Sequence, residues 1–353
     1  MLSLRVRIAA LGAATAVLAT VAVVYTVRAA DSRARTATAS SAFGLHGAQP
    51  RLLFRSTRDG TGEGRVAWMP GRGGARRTTG GPACDRFHAA GGTALCLQRR
   101  PGLPLRSYAV VLDERLRETR RIPLDGIPSR ARVSASGRML SWTLFAAGDS
   151  YNQSSFSTRT GILDARTGHL VKNIESIPLT LGGRRYHSPD VNYWGVTFAA
   201  DDNRFYATVS TKGATHLVEG DRAKWAARAL RENAECPSLS PDGHRLAFKK
   251  KVRDGGRAPW RLYVLDLRSM RERPLAERRG VDDQALWLDA RQVAYALPGE
   301  DGRTSDIWSV RADGSGAPRL RVRDGSSPAL VRPGRSRPAV TVDADQRGER
   351  TVR

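Results

Sequence analysis

Few residues in this sequence stand at spacings that support chemistry, and each such group also has a plain structural use. Two acidic pairs, Asp201-Asp202 and Asp282-Asp283, could hold a hard cation, because such ions take several carboxylate and carbonyl oxygens. Both pairs fall beside strand-like runs and turns, where Asp serves backbone turn chemistry, so no metal site is assigned. Gly60-Thr-Gly-Glu-Gly64 has the glycine content of a phosphate loop. It joins two strand-like runs, however, with no helix behind it to turn an N-terminus toward phosphate. No nucleotide or other cofactor follows from it. The six histidines (46, 88, 169, 187, 216 and 244) are scattered, and His-Glu-x-x-His, Cys-x-x-Cys and Gly-x-Ser-x-Gly are all absent. No catalytic residue is therefore assigned.

The elements that would carry these residues repeat along the chain. Ser240-Pro-Asp-Gly-His-Arg-Leu-Ala-Phe248 reads as a strand end, a tight turn and a second strand, and Trp287-Leu-Asp-Ala-Arg-Gln-Val-Ala-Tyr295 matches it position for position. Looser copies are Ser134-Ala-Ser-Gly-Arg-Met-Leu-Ser-Trp142, Ala200-Asp-Asp-Asn-Arg-Phe-Tyr-Ala207 and Ala89-Ala-Gly-Gly-Thr-Ala-Leu-Cys96. The turn markers Gly91, Gly137, Asn203, Gly243 and Ala290 are separated by 46, 66, 40 and 47 residues. Each marker is followed by alternating apolar and polar runs broken by Gly- and Asp-rich turns, which predicts four short strands per repeat. That period is the signature of propeller blades. A ring has to close, and the two ends supply the missing parts. Arg51-Leu-Leu-Phe-Arg55 and the two runs after it resemble the last three strands of a blade, while Ser327-Pro-Ala-Leu-Val331 resembles a lone first strand. Together they predict a sixth blade. The expected fold class is thus all-β: a six-bladed β-propeller of four-stranded blades, one of them closed by a C-terminal strand, after an N-terminal transmembrane helix.

Ser240-Pro-Asp-Gly-His-Arg-Leu-Ala-Phe248 with Leu262-Tyr-Val-Leu-Asp266, and Asp306-Ile-Trp-Ser-Val310 with Ala312-Asp-Gly-Ser-Gly316, resemble the TolB-type propeller repeat. The resemblance implies six blades over residues 50–331. TolB proteins carry a separate domain ahead of the propeller. Here a membrane segment and a tether are expected in its place, so the partners of TolB are not carried over.

Residues 8–27 contain no charge and are long enough, at about 30 Å as a helix, to cross the hydrocarbon core. A cleaved signal peptide is the rival reading, with Val27-Arg28-Ala29 as its cleavage site, but its apolar stretch would be shorter. Arg5 and Arg7 favour a cytoplasmic N-terminus. The expected organisation is a cytoplasmic tail (1–7), a transmembrane signal anchor (8–27), a flexible tether (28–50), the propeller (51–333) on the extracytoplasmic side of the cell membrane, and a disordered basic tail (334–353).

Lys and Arg total 58 against 34 Asp and Glu, a formal net charge of +24. Such a surface suits anionic lipid headgroups or wall polymers, although nearly all the cations are Arg, which a GC-rich genome would also produce. Nucleic acid is not expected, because the propeller lies beyond the membrane and no recognition motif interrupts the blades. Three cysteines are too few for a disulfide-built scaffold. In the repeat register Cys84 lies nearly opposite Cys96 on adjacent strands, so the two form either a disulfide, which persists outside the cytoplasm, or two buried thiols. The disulfide is the expectation, with Cys236 left unpaired.

The binding face is expected where the loops are longest. Residues 146–157 join second to third strands and 181–194 join two blades, and in a propeller both kinds of loop emerge on one face. They carry Tyr151, Asn152, Gln153, Arg184, Arg185, Tyr186, His187, Asp190, Asn192, Tyr193 and Trp194, an aromatic and hydrogen-bonding mixture suited to recognition. Trp260 adds to the same rim. The function expected is a non-catalytic extracytoplasmic scaffold, anchored to the membrane by one helix, that binds a protein or an anionic envelope ligand. The alternative is a propeller enzyme, a hydrolase or lyase, working at one mouth of the channel. Topology is open to test: protease added to intact protoplasts should digest the propeller, whereas full protection, or mature protein released into the medium, overturns the anchored arrangement.

Overall fold

A computed structural model describes residues 43–333, apart from 59, 61, 72–75, 101–105, 147–156 and 253–258. Among the described residues twenty-six strands form six sheets. The first blade holds β1 (Arg51–Ser56), β2 (Arg65–Pro70) and β3 (Thr78–Ala83); the second holds β4 (Arg86–Ala90), β5 (Thr93–Arg100), β6 (Arg106–Leu112) and β7 (Glu118–Leu124). The third consists of β8 (Ile127–Val133), β9 (Met139–Phe145), β10 (Thr158–Asp164) and β11 (Leu170–Val171). A short hairpin, β12 (Leu179–Leu181) and β13 (Arg184–Tyr186), precedes the fourth blade of β14 (Asn192–Phe198), β15 (Arg204–Thr211), β16 (Ala214–Asp221) and β17 (Ala226–Glu232). The fifth contains β18 (Glu235–Leu239), β19 (Arg245–Lys251), β20 (Trp260–Asp266) and β21 (Glu272–Pro274). The sixth contains β22 (Leu286–Trp287), β23 (Gln292–Pro298), β24 (Ser305–Arg311) and β25 (Arg319–Val322). Finally β26 (Gly325–Val331) pairs antiparallel with β1, so the last described strand is the innermost strand of the first blade.

Both faces of each blade are covered, and the side-chain period of two decides which neighbour each residue meets. Along β5, Ala94 and Cys96 join the core shared with the first blade, while Leu95 and Leu97 join the core shared with the third. A strand buried on both faces reads as a continuous apolar run. Met139–Phe145 (MLSWTLF) is the clearest case, with its first six residues buried.

Three departures from the sequence reading have local causes. Gly91 and Gly92 both have positive φ (54° and 80°), so Ala90 and Thr93 pair across a two-residue turn. In the fifth blade the turn is longer, and Leu239 pairs with Leu246. The tighter turn shifts the register, placing Phe87 rather than Cys84 opposite Cys96. Cys84 lies just past β3, on the strap between the first two blades, and still reaches Cys96 in a disulfide with Cα atoms 5.4 Å apart. Cys236 is a free, buried thiol. Second, the chain joins the fold earlier than the tether expected over 28–50 would allow: Phe43 and Leu45 are buried in the core of the first two blades. Third, β12 and β13 extend the fourth blade to six strands, β12 lying parallel to β17. Among the described residues no helix is long and apolar enough to cross a membrane, and the segment 8–27 lies outside them.

Ring closure predicts the outcome of two truncations. Ending the chain before Ser327 removes most of β26 and leaves the inner edge of β1 unpaired, so aggregation or loss of the cooperative thermal transition is expected. Ending it after Pro333 should leave the transition unchanged. Mass spectrometry of unreduced peptides should find Cys84 linked to Cys96, and replacing both by Ala should cost about 2–3 kcal/mol in denaturant unfolding, for a bridge spanning 12 residues.

Candidate functional site

The innermost strands β4, β8, β14, β18, β22 and β26 contact one another in sequence around the ring and enclose the central channel. Where these strands end and turn outward, the channel opens as a funnel of about 1170 Å³. Its rim is made of the first turns of successive blades, tied to one another. The Ser136 hydroxyl donates to Asp202 (2.7 Å), Arg245 donates to the Ala290 carbonyl (2.8 Å), and Arg332 donates to the Leu288 carbonyl (2.7 Å). The turns at Gly91 and Gly137 abut so closely that a Cβ on Gly91 would lie 2.2 Å from the Ser136 carbonyl carbon. Only glycine fits there. His46, on the segment leading into β1, pairs with Glu114 at the same rim (3.1 Å).

The opposite end of the channel is plugged. Residues 281–285, the connection from the fifth blade to the sixth, lie across it. The Gln284 amide donates to the carbonyls of Gly195, Val196 and Pro237, at 3.1, 3.1 and 2.9 Å, bridging the fourth and fifth blades. Asp282 accepts from Lys249 (2.6 Å) and Arg130 (3.0 Å), joining the sixth-blade connection to the third blade across the axis. Lys249 is buried, lies 3.9 Å from Glu235, and sits over the Trp260 ring at 4.1 Å, while Trp260 donates its indole N–H to Glu235 (2.8 Å). Burial alone would raise the Asp282 carboxyl, but the Lys249 ammonium and then the Arg130 guanidinium outweigh it and hold it down to about 2. Asp283 accepts from the Ala296 backbone N–H (2.9 Å). The acidic pair Asp282-Asp283 is therefore occupied by the plug. Asp201-Asp202 is occupied by its turn, Asp201 accepting from the backbone of Asn203 and Arg204. Among the described residues no group of three His, Cys, Asp or Glu side chains is placed to hold a metal ion.

Between plug and mouth lies the funnel floor, formed by His88 on β4 and Arg132 on β8, each 7% exposed. Arg132 Nη2 donates to the Ala285 carbonyl (3.1 Å), Nη1 lies 3.1 Å from His88 Nε2, and the Val133 N–H donates to His88 Nδ1 (3.1 Å). Burial first and the neighbouring Arg132 second push the His88 imidazole well below its ordinary value, so it is neutral. Burial pulls Arg132 down to about 10, which leaves it charged near neutral pH. Its Nε is buried without a hydrogen-bond partner.

The loop face expected to bind lies at the plugged end, opposite the funnel. Of its residues, Tyr151, Asn152 and Gln153 lie outside the described residues. Arg184, Arg185 and Tyr186 form β13, the outer edge of the fourth blade; Tyr186 bonds Thr211 (2.8 Å) and lies under Lys212. His187 is exposed, and Asp190 ties the hairpin to β15 by accepting from Thr211 (2.7 Å). Asn192, Tyr193 and Trp194 are not loop residues. They begin β14, the innermost strand of the fourth blade, and are buried there, with Asn192 accepting from the Thr158 backbone and hydroxyl. Their aromatic character serves the core, because an innermost strand is packed between its neighbours. Trp260 is committed to the plug. Sequence reading missed His88 and Arg132, yet a signal was present: Arg86 and His88, and Arg130 and Arg132, recur at alternate positions of strands that the repeat marks as innermost.

Among the described residues, five four-stranded sheets and one sheet extended to six strands surround one channel and define a six-bladed β-propeller, and the architecture is TolB-like. Among solved structures the chain is similar to TolB from Acinetobacter baumannii, with a TM-score of 0.53, 14% identity, and coverage of 80% of this chain and 66% of that one. It is also similar to a chain of the nidogen/laminin complex, with a TM-score of 0.50, 10% identity, and coverage of 80% and 98%. No protein-family model and no curated protein matches the sequence. At these identities the likeness is one of fold, and the chain spans about two thirds of that TolB.

The plug makes a prediction about acid stability. A carboxyl depressed in the folded state contributes stability above its unfolded value of about 3.9, and that contribution is lost as pH falls toward the folded value. The Asp282 contribution should therefore be complete above about pH 4 and disappear toward about pH 2. Lys249→Met should flatten this segment of the melting-temperature profile. At pH 7 it should cost about 2 kcal/mol, less than breaking a fully enclosed pair, since half of the Asp282 side chain reaches solvent.

Proposed function

We propose that the chain is a non-catalytic binding module, held outside the cytoplasm by residues 8–27, whose partner enters the funnel between the first turns of the blades. The observation that carries this reading is the shape and rigidity of the mouth: an open cavity of about 1170 Å³, a rim locked by turn-to-turn hydrogen bonds, and a closed far end. A pre-formed concavity of this kind holds a ligand with little ordering cost. The ionisable groups nearby favour binding over catalysis. Asp282 is neutralised by two cations, Asp283 is spent on a backbone amide, and His88 is neutral with Nδ1 occupied. The Cys84–Cys96 disulfide supports an oxidising compartment, because such bonds are rare where thiols are kept reduced. The basic surface favours an acidic partner segment or an anionic envelope component.

Ala135 and Ala200 are exposed residues of the rim. Filling the mouth with Ala135→Trp and Ala200→Trp should abolish photo-crosslinking of the full chain to its partner in membranes. The melting temperature should move by no more than about 2 °C, as expected of surface substitutions. Retained crosslinking in that variant, together with loss in Arg185→Ala/Tyr186→Ala, would transfer the site to the loop face.

A further inference from the structure

The funnel floor contains two hydrogen-bond donors that face each other with nothing to accept. The Val133 N–H can only donate, so His88 Nδ1 must present its lone pair. A neutral imidazole then carries its proton on Nε2. That N–H faces Arg132 Nη1 at 3.1 Å, and a guanidinium has no acceptor. Arg132 makes no ion pair among the described residues, and its one unambiguous bond is to the Ala285 carbonyl. Both side chains are buried and both border the funnel. Unmatched buried donors are costly, and an anionic oxygen placed between them would satisfy both at once.

Resting on the reading of the funnel as the ligand entrance, we propose that its floor is a carboxylate site, with one ligand oxygen shared between Arg132 and His88 Nε2–H. Charge selects a monoanion. At the floor Arg132 is the single cation and makes no ion pair among the described residues, leaving one positive charge that a carboxylate neutralises and a phosphate dianion exceeds. Above the floor, Phe198, Leu239, Leu286 and Trp287 contribute apolar wall. The ligand class is therefore a carboxylic acid on an apolar body, either the C-terminal end of a peptide or a free organic acid.

The test uses the full chain with 4-bromobenzoate and its uncharged counterpart 4-bromobenzamide. Calorimetric titration should show the acid binding at least about tenfold more tightly, since the bond to Arg132 is charge-assisted. Arg132→Gln should reduce that preference to less than about twofold. The bromine should appear by anomalous scattering inside the funnel of wild-type crystals. Should the variant fail to fold, nitrogen-15 spectra of His88 in the wild-type chain decide: the Nε2–H tautomer, unchanged between about pH 5 and 8, is expected. N-acetyl-Ala-Leu-Phe compared with its C-terminal amide separates the sources, since a preference for the free acid there identifies chain ends, and none identifies small organic acids. Equal binding of acid and amide forms in both pairs, a preference that survives Arg132→Gln, or an Nδ1–H tautomer overturns the carboxylate site. If that happens while Ala135→Trp/Ala200→Trp still loses its crosslinked partner, the floor assignment falls and the funnel reading stands.

Discussion

The pairing of β26 with β1 joins the two ends of the described chain, and the rest of the architecture depends on it. Five residue pairs link Gly325–Val331 to Arg51–Ser56. Without them the first blade would lack its innermost strand, and the channel would have a gap where β26 now contacts both β4 and β22. The funnel exists only because six inner strands meet edge to face around one axis, so a pairing between distant segments governs a site that neither segment builds alone. Such pairing is costly in chain entropy and is offset by burial on both faces of every blade. The same closure fixes where the N-terminal segment enters, because Phe43 and Leu45 are trapped between the first two blades as the chain turns into β1.

Charge inside the channel is handled differently at its two ends. At the plug, Lys249 and Arg130 meet Asp282, and Trp260 and Glu235 close the remaining contacts. Removal from water is costly for each ion, and the attraction among them offsets that cost only because the geometry is tight. Across the channel axis these bonds also hold residues 281–285 in place. At the floor, Arg132 meets a neutral His88 and a carbonyl but no carboxylate. One end of the channel is thus electrostatically complete and the other is open on the side that faces the mouth.

The rim contributes stiffness. Turn-to-turn bonds run from blade to blade, and the contact between Gly91 and Gly137 brings two backbones closer than any side chain would permit. A mouth built this way is rigid, which suits the proposed recognition by a fixed surface rather than by loops that must be ordered first.

Much of the fold was legible in one dimension. Turn residues at a near-constant period and alternating apolar positions specified four-stranded blades, and the incomplete pieces at the two ends specified how the ring closes, because these are local consequences of backbone sterics and of side chains alternating between faces. Cys84 and Cys96 were recognisable as partners even though the two-residue turn at Gly91 and Gly92 shifted the register between them. The site was not legible. Tyr193 and Trp194 have the composition of a recognition loop, and only the packed structure shows them in the innermost strand of the fourth blade. His88 and Arg132 are far apart in sequence, and the alternation of Arg86 with His88 and of Arg130 with Arg132 marks two polar runs on innermost strands without showing that these two side chains meet. Blade repeats are local, so the chain alone determines them; the channel is made of one strand from each blade, so which side chains meet across it, and which lack a partner, is decided only when the ring has closed.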